Sequence, residues 1–287
     1  MNHDTFIVPP GKKIRLKDYD PAYTGKFKEK EDAAEKLQDD IRKLAALQDV
    51  LYAQNAYALL LIFQAMDAAG KDGAIKHVMS GVNPQGTQVV SFKAPSSEEL
   101  GHDYLWRALK NLPERGRIGI FNRSYYEEAL VVRVHPELLR AERIPSALLG
   151  ENIWRERFKQ INSVEEYLTS NGTVILKFFL HVSKKEQKRR FLERIDTPEK
   201  NWKFSPADVR ERAFWDDYMK AFEDLFSHTS TVSAPWHIIP ADRKWFTRVA
   251  VADIIVKKLQ SLRLKYPTPD PEHVKALKEA RALLEKE

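Results

Sequence analysis

The stretch Leu59–Gly73, LLLIFQAMDAAGKDG, constrains this chain more than any other. An apolar run of strand length ends in a turn of small residues. A lysine follows, and then a sequence able to open a helix. Strand, Gly/Ala turn and Lys at a helix N-terminus together make an anion cradle. Backbone N–H groups point into the turn, the helix dipole adds positive potential, and the lysine adds a full charge. The stretch departs from the usual G-x4-G-K-[ST] phosphate loop at two places. Ala65 stands at the first glycine, and Asp72 replaces the hydroxyl residue after Lys71. That hydroxyl normally ligates Mg²⁺, whereas Asp67 and Asp72 offer carboxylates. Carboxylates in a loop built for anions repel phosphate unless a metal lies between them. The bland alternative is a strand–turn–helix with a surface lysine, and the clean apolar run before the turn speaks against it.

The rest of the chain supplies partners for that strand. Residues 1–27 contain breakers, but Phe6, Ile7, Val8, Tyr19, Tyr23 and Phe27 need somewhere to pack, so an ordered arm is expected. Leu37, Ile41, Leu44, Leu47 and Leu51 recur at helical spacing within a helix from Lys28 to about Asn55. Strands are expected at Tyr57–Phe63, Gln88–Phe92, Arg117–Phe121, Thr173–Leu180 and Trp236–Ile239. Between them come helices at Asp72–Ser80, from Ser96 to about Leu112, at Glu151–Ser170, at Ser183–Ile195, from Ser205 to about Phe226 and from about Asp242 to Lys265. Residues 127–150 read as interrupted helix, and a polar helix ends the chain. Ser96 with Glu99, and Ser183 with Glu186, have capping-box spacing. Strands alternating with helices argue for an α/β fold, a five-stranded parallel sheet covered on both faces. Ligands of such sheets bind at the carboxyl ends of the strands, where the phosphate turn lies.

Composition excludes several chemistries. With no cysteine, disulfides, thiolate nucleophiles and Cys-ligated zinc are ruled out. The histidines do not cluster at metal-ligand spacing. The first ten residues lack a basic-then-apolar signal pattern, and no apolar run approaches the roughly 18 residues of a membrane span. A cytoplasmic protein with no membrane partner is the expectation. A net charge of +6 favours polyanions without choosing among them.

Two further stretches carry chemistry. The third strand ends at Asn122-Arg123, where phosphate-loop enzymes often place a metal-binding acid. Arg123 offers a planar fork suited to phosphate oxygens. Its bland alternative is an ion pair with Glu127 or Glu128, and Arg133, ten residues on, is a weaker candidate for the same site. The second stretch holds Lys184, Lys185, Lys188, Arg189, Arg190 and Arg194, six cations in eleven residues. Helical geometry splays them, so some must be a solvated face. The sharper reading is a lid that clamps phosphates, continued by Lys200 and Lys203.

With these stretches placed, the chain resembles polyphosphate kinase family 2. The resemblance is carried by Ala65–Gly73, by Asn122-Arg123-Ser124-Tyr125-Tyr126, by Gln187–Arg194 and by Lys200-Asn201-Trp202-Lys203-Phe204-Ser205-Pro206, and it runs from about residue 10 to 260. It implies a P-loop kinase of thymidylate-kinase-like fold, three-layer α/β/α. This would be a single domain over 1–287, with the arm at 1–27 and a helical lid at about 183–228. It implies transfer of phosphate between inorganic polyphosphate and adenine or guanine nucleotides, dependent on Mg²⁺ or on Mn²⁺ in its place, in a homo-oligomer (dimer or tetramer). Asn122 resembles the class III subgroup, which phosphorylates both nucleoside mono- and diphosphates. Carried onto this sequence, the catalytic residues are Asp67, Lys71 and Arg123, with Asp67 holding the metal. Phosphate or nucleotide binding falls to Ala68, Ala69, Gly70, Asp72, Gly73, Asn122, Glu127, Arg133, Arg190, Arg194 and Lys203.

Two other readings compete. An ATP-dependent nucleoside monophosphate kinase shares the fold, but Asp72 and the large basic helix count against it. A non-enzymatic polyanion-binding module fits the charge, but no nucleic-acid motif with interleaved aromatics is present, so nucleic acid is not an expected partner.

Overall fold

The computed structural model describes residues 1–287. Five parallel strands form one sheet in the order β2-β3-β1-β4-β5. They are β1 (Ala58–Ala65), β2 (Thr87–Ser91), β3 (Ile118–Asn122), β4 (Thr173–His181) and β5 (Trp236–Pro240). β1 is central and buried from Ala58 to Gln64, as a strand covered on both faces must be. Its neighbours are β3 on one side and β4 on the other, so the chain order reverses beside β1. Such a switch point opens a crevice at the carboxyl ends of the strands.

Eleven α-helices join the strands. In chain order they are α1 (Lys30–Gln54), α2 (Lys71–Val78), α3 (Ser97–Leu100), α4 (Trp106–Leu109), α5 (Val131–Val134), α6 (Ile153–Ser170), α7 (Lys184–Asp196), α8 (Pro206–Glu211), α9 (Trp215–Thr229), α10 (Lys244–Ser261) and α11 (Pro271–Leu284). α1, α2 and α10 pack together as one layer, and α5, α6 and α9 as the other. α10 is buried almost all round, with Val249 to Val256 enclosed without a break. The N-terminal arm is ordered. Ile7 bridges antiparallel to His237, and Phe6, Val8, Leu16 and Phe27 are buried, so the arm covers the edge of β5. No helix is long and apolar enough to cross a membrane.

Three sequence expectations need correction. The helix opened by Ser96 has its capping box, but it stops at Leu100. Asp103 then caps a new turn by accepting from the Leu105 N–H at 2.9 Å, and helix resumes only at Trp106–Leu109. The long helix expected from Ser205 to Phe226 is broken by a 3-10 turn at Arg212–Phe214. The stretch 183–228, expected as a lid, does not lie over the crevice throughout. α9 buries Trp215, Tyr218, Phe222, Leu225 and Phe226, with Phe222 4.3 Å from Phe179 of β4 and Phe226 5.1 Å from Trp236 of β5. Apolar spacing of that quality commits a helix to the core, which leaves only α7, the turn Pro198–Lys203 and α8 over the crevice.

Candidate active site

The loop after β1 owes its shape to α7. Gln187 donates to the Asp67 carbonyl at 2.9 Å, and Arg190 donates to the carbonyls of Ala68 and Ala69 at 2.9 and 2.7 Å. Three successive carbonyls are thereby bound to one helix. Ala68 has φ 61° and Gly70 φ 107°, both in the left-handed region, a backbone state that suits glycine and that alanine adopts only under constraint. The first-turn N–H groups of α2 have no intrahelical acceptors, and with the dipole they form the anion cradle.

Lys71 opens α2. Its ammonium donates to the Ala65 carbonyl at 3.2 Å and makes no other hydrogen bond within the protein. Removal from water lowers its pKa and the nearby Arg123 lowers it further, while Asp67, Glu127 and Asp72 pull it back up. Arg123 follows β3 with φ 65°, again left-handed, and its N–H donates to the Phe63 carbonyl at 3.0 Å. That backbone turn delivers its guanidinium to Asp67, with Nη2 2.9 Å from Oδ1. The expected partners Glu127 and Glu128 are not ion-paired to it: Glu128 pairs with Arg157, and Glu127 lies close enough to act on both Lys71 and Arg123 electrostatically. Burial raises the Glu127 pKa, and Arg123 and then Lys71 oppose the rise. Asn122 Nδ2 donates to Asp72 Oδ1 at 2.8 Å, so the strand ending in an amide holds the loop carboxylate directly.

A cleft of about 640 Å³ lies over this constellation. Asp67, Ala68, Ala69, Gly70, Lys71, Asp72, Gly73, Asn122, Arg123, Arg190, Arg194 and Lys203 all line it. Two of the sequence candidates do not. Glu127 acts on Lys71 and Arg123 without lining the cleft, and Arg133 is paired with Asp224 of α9 at 2.5 Å.

The basic helix divides as helical geometry requires. Lys184, Lys185, Lys188 and Arg189 are exposed, with Arg189 paired to Glu186 and Glu193. Hydrogen bonds from Arg189, burial notwithstanding, and from Arg190 hold the Glu186 carboxyl down to about 2. That pairing takes the Glu186 side chain away from the expected reciprocal cap, and Asp242 accepts from the Ser183 N–H at 2.7 Å instead. Arg190 is only 3% exposed, and all its donors are engaged: Glu186, Ala68, Ala69, Ala241 and Asp242 accept from it. It acts here as a brace for the loop, with no N–H left for a ligand. Arg194 alone of the six reaches the cleft with its charge only loosely met, 4.0 Å from Asp208.

Several cleft residues escaped the sequence reading. Lys93 follows β2, and Lys244 and Arg248 follow β5. Their position just past the carboxyl end of a strand was the available signal. Burial lowers the pKa of both Lys244 and Arg248, so each gains from an anion beside it. Gln187 entered only as part of the stretch that carries the resemblance, and its role as a donor to the loop had no local signal, because its acceptor is the Asp67 carbonyl, distant in sequence.

The donor set bears on a metal. No three His, Asp or Glu side chains converge closely enough to form a metal cage. Mg²⁺ does not require one; it keeps several waters and bridges one or two carboxylates to substrate phosphates. Asp67 and Asp72, hard oxygen donors beside the anion cradle, fit that pattern.

Known proteins supply the comparison. The family model described as Polyphosphate kinase 2 matches residues 27–267. An "ADP-polyphosphate phosphotransferase" of Rhodopseudomonas palustris is 51% identical over 280 residues, covering 97% of each chain. An "AMP/ADP-polyphosphate phosphotransferase" of Meiothermus ruber is 43% identical over 266 residues, covering 92% of this chain and 96% of that one. The crystal structure of Polyphosphate Kinase 2 from Arthrobacter aurescens TC1 superposes with a TM-score of 0.86 at 40% identity, covering 96% of this chain and 95% of that chain.

Proposed function

This chain belongs to the polyphosphate kinase 2 family, and we propose that its cleft moves the terminal phosphate of inorganic polyphosphate onto AMP and onto ADP, and back. An oxygen of the acceptor's terminal phosphate bonds to the terminal phosphorus of the polyphosphate chain. The P–O bond behind that phosphorus breaks, and the shortened chain leaves with the electron pair. The acceptor is already an anion at neutral pH, because the second pKa of a phosphate monoester is about 6. Little general-base help is needed, so catalysis is positioning and neutralisation of charge.

The residues divide that work. The amides of the loop and Lys71 hold the donor and transferring phosphates. Arg123 adds its fork from the end of β3, beside the loop, and Arg194 and Lys203 reach toward the acceptor's phosphates. Asp67 and Asp72 would hold Mg²⁺, or Mn²⁺ in its place; when bound, the ion neutralises phosphate charge between carboxylates that would otherwise repel it. Asn122 keeps a further acidic group out of the site and ties Asp72 in place. The reading includes guanine as well as adenine nucleotides, a cytoplasmic setting and a homo-oligomer, dimer or tetramer. Support for the last is α11, which buries no residue and exposes Val274, Leu277, Leu283 and Leu284; solution mass tests it.

The observation that carries the proposal is the set of cations around one cleft whose donors the protein leaves largely unfilled, more than one triphosphate needs. The experiment is an incubation with Mg²⁺, AMP and long-chain polyphosphate, without ATP. ADP followed by ATP is expected, and formation of neither rejects the reading in favour of an ATP-dependent kinase.

A further inference from the structure

The cleft has cations for phosphate but little for a nucleobase, which needs a flat apolar surface. Its apolar lining comes to three alanines, Phe92 and Trp202. Phe92 is 6% exposed and already committed, with Phe121 edge-on at 4.9 Å and the Arg107 guanidinium 5.4 Å from its centroid. Trp202 is the opposite case. It is 78% exposed, the most exposed aromatic side chain of the protein, although it lines the cleft. Aromatic rings are large apolar surfaces and are favourably buried, so an indole left in water at the rim of a binding cleft is suited to a ligand.

The backbone beneath it is anchored. Trp202 lies in the turn Pro198–Lys203, between α7 and α8. Asn201 Nδ2 donates to the carbonyls of Arg194 and Ile195 at 2.7 and 2.8 Å, tying the turn to the end of α7. Phe204, just past the turn, packs on Phe191 with centroids 6.3 Å apart. The indole is therefore exposed on a braced segment, not on a loose one. The Lys203 ammonium lies over one face of its ring, 4.8 Å from the centroid, so the other face is the one open to stacking and a cation for phosphate stands beside it.

We propose that Trp202 stacks on the nucleobase of the acceptor nucleotide, with Lys203 and Arg194 meeting its phosphates. The inference rests on the reaction read above, and it assigns the nucleoside to the lid turn and the donor chain to the phosphate loop. Polyphosphate has no π-face and gains nothing from the indole. Stacking tolerates any base and grows with ring area, so purine nucleotides are favoured over pyrimidine ones, with little distinction between adenine and guanine at this contact.

The test is Trp202→Ala, with Trp202→Phe as the conservative control. Alanine should raise KM for AMP and for ADP by about 10-fold. It should leave kcat and the KM for polyphosphate within about 2-fold, and phenylalanine should restore most of the loss. AMP titrated without polyphosphate should quench tryptophan fluorescence in the wild type and not in Trp202→Phe. That readout needs no turnover, so it separates failure of this inference from failure of the reaction reading. Unchanged AMP affinity in Trp202→Ala overturns the inference. So does a loss confined to polyphosphate, or a change in solution mass that accounts for the defect.

Discussion

Lys71 and Lys177 both lie beside carboxylates, and burial lowers the pKa of both. Their donors set them apart. Lys177, on β4 with no exposed surface, fills all three: Glu165 accepts at 2.6 Å, the Thr229 carbonyl at 2.7 Å and the Tyr126 hydroxyl at 3.0 Å. Glu165 is filled in turn by the hydroxyls of Tyr125 and Tyr126 at 2.8 and 2.7 Å. Lys71 makes one such bond and faces a second cation. Arg190 and Arg123 repeat the contrast within the cleft itself. A cation with filled donors fixes the fold, whereas one with open donors and a cationic neighbour awaits an anion. Charge alone does not separate the two; hydrogen-bond saturation does.

The sharpest attempt to break this contrast is Asp67→Asn. The residue pairs only with Arg123, both about one-third exposed, so stability should change little. Phosphate transfer should fall by about 10³-fold if Asp67 holds the metal; a variant with more than a tenth of wild-type turnover removes Asp67 from the site. At the other pole, Lys177→Met strands Glu165 in the core and should cost about 3–5 kcal/mol in denaturant unfolding. Adding Glu165→Gln should recover part of that cost, and a single variant as stable as the wild type contradicts the structural role.

A smaller effect concerns pH. Burial holds the His237 pKa down to about 4, below an ordinary histidine near 6.5. The unfolded chain therefore binds the extra proton first, and stability falls as pH drops from about 6.5 to 4, by up to about 3 kcal/mol. His237→Gln should flatten that segment of the stability curve, and an equally steep curve in the variant assigns the loss elsewhere. Smallest is Asn122→Asp, which replaces the donor to Asp72 with a like charge. It should shift the ratio of AMP to ADP phosphorylation rates by a few-fold, and an unaltered ratio ends the case for Asn122 as a selector.

Much of the frame was legible because its physics is local. Each expected strand lies within two residues of its observed bounds, as at Trp236, where an apolar run between turn signals leaves few alternatives. The helix from Ser96 was overextended because Gly101-His102-Asp103 reads as tolerable helix until the Asp103 side chain captures the Leu105 N–H. Arg190 was legible as a cation near phosphate and not as a brace, because its acceptors are carbonyls of Ala68, Ala69, Ala241 and Asp242, distant in sequence. Arg133 was lost to Asp224 for the same reason. Lys177 drew no reading from the sequence, since its three partners come from three other segments.

The most direct test is the rate of ADP formation from AMP and long-chain polyphosphate by Lys71→Met, measured alongside its unfolding midpoint. The expected result is a loss of about 10²-fold or more with the midpoint unchanged, because the Lys71 donors serve the ligand and not the fold. A rate within about 3-fold of wild type, or a loss matched by unfolding, would contradict it.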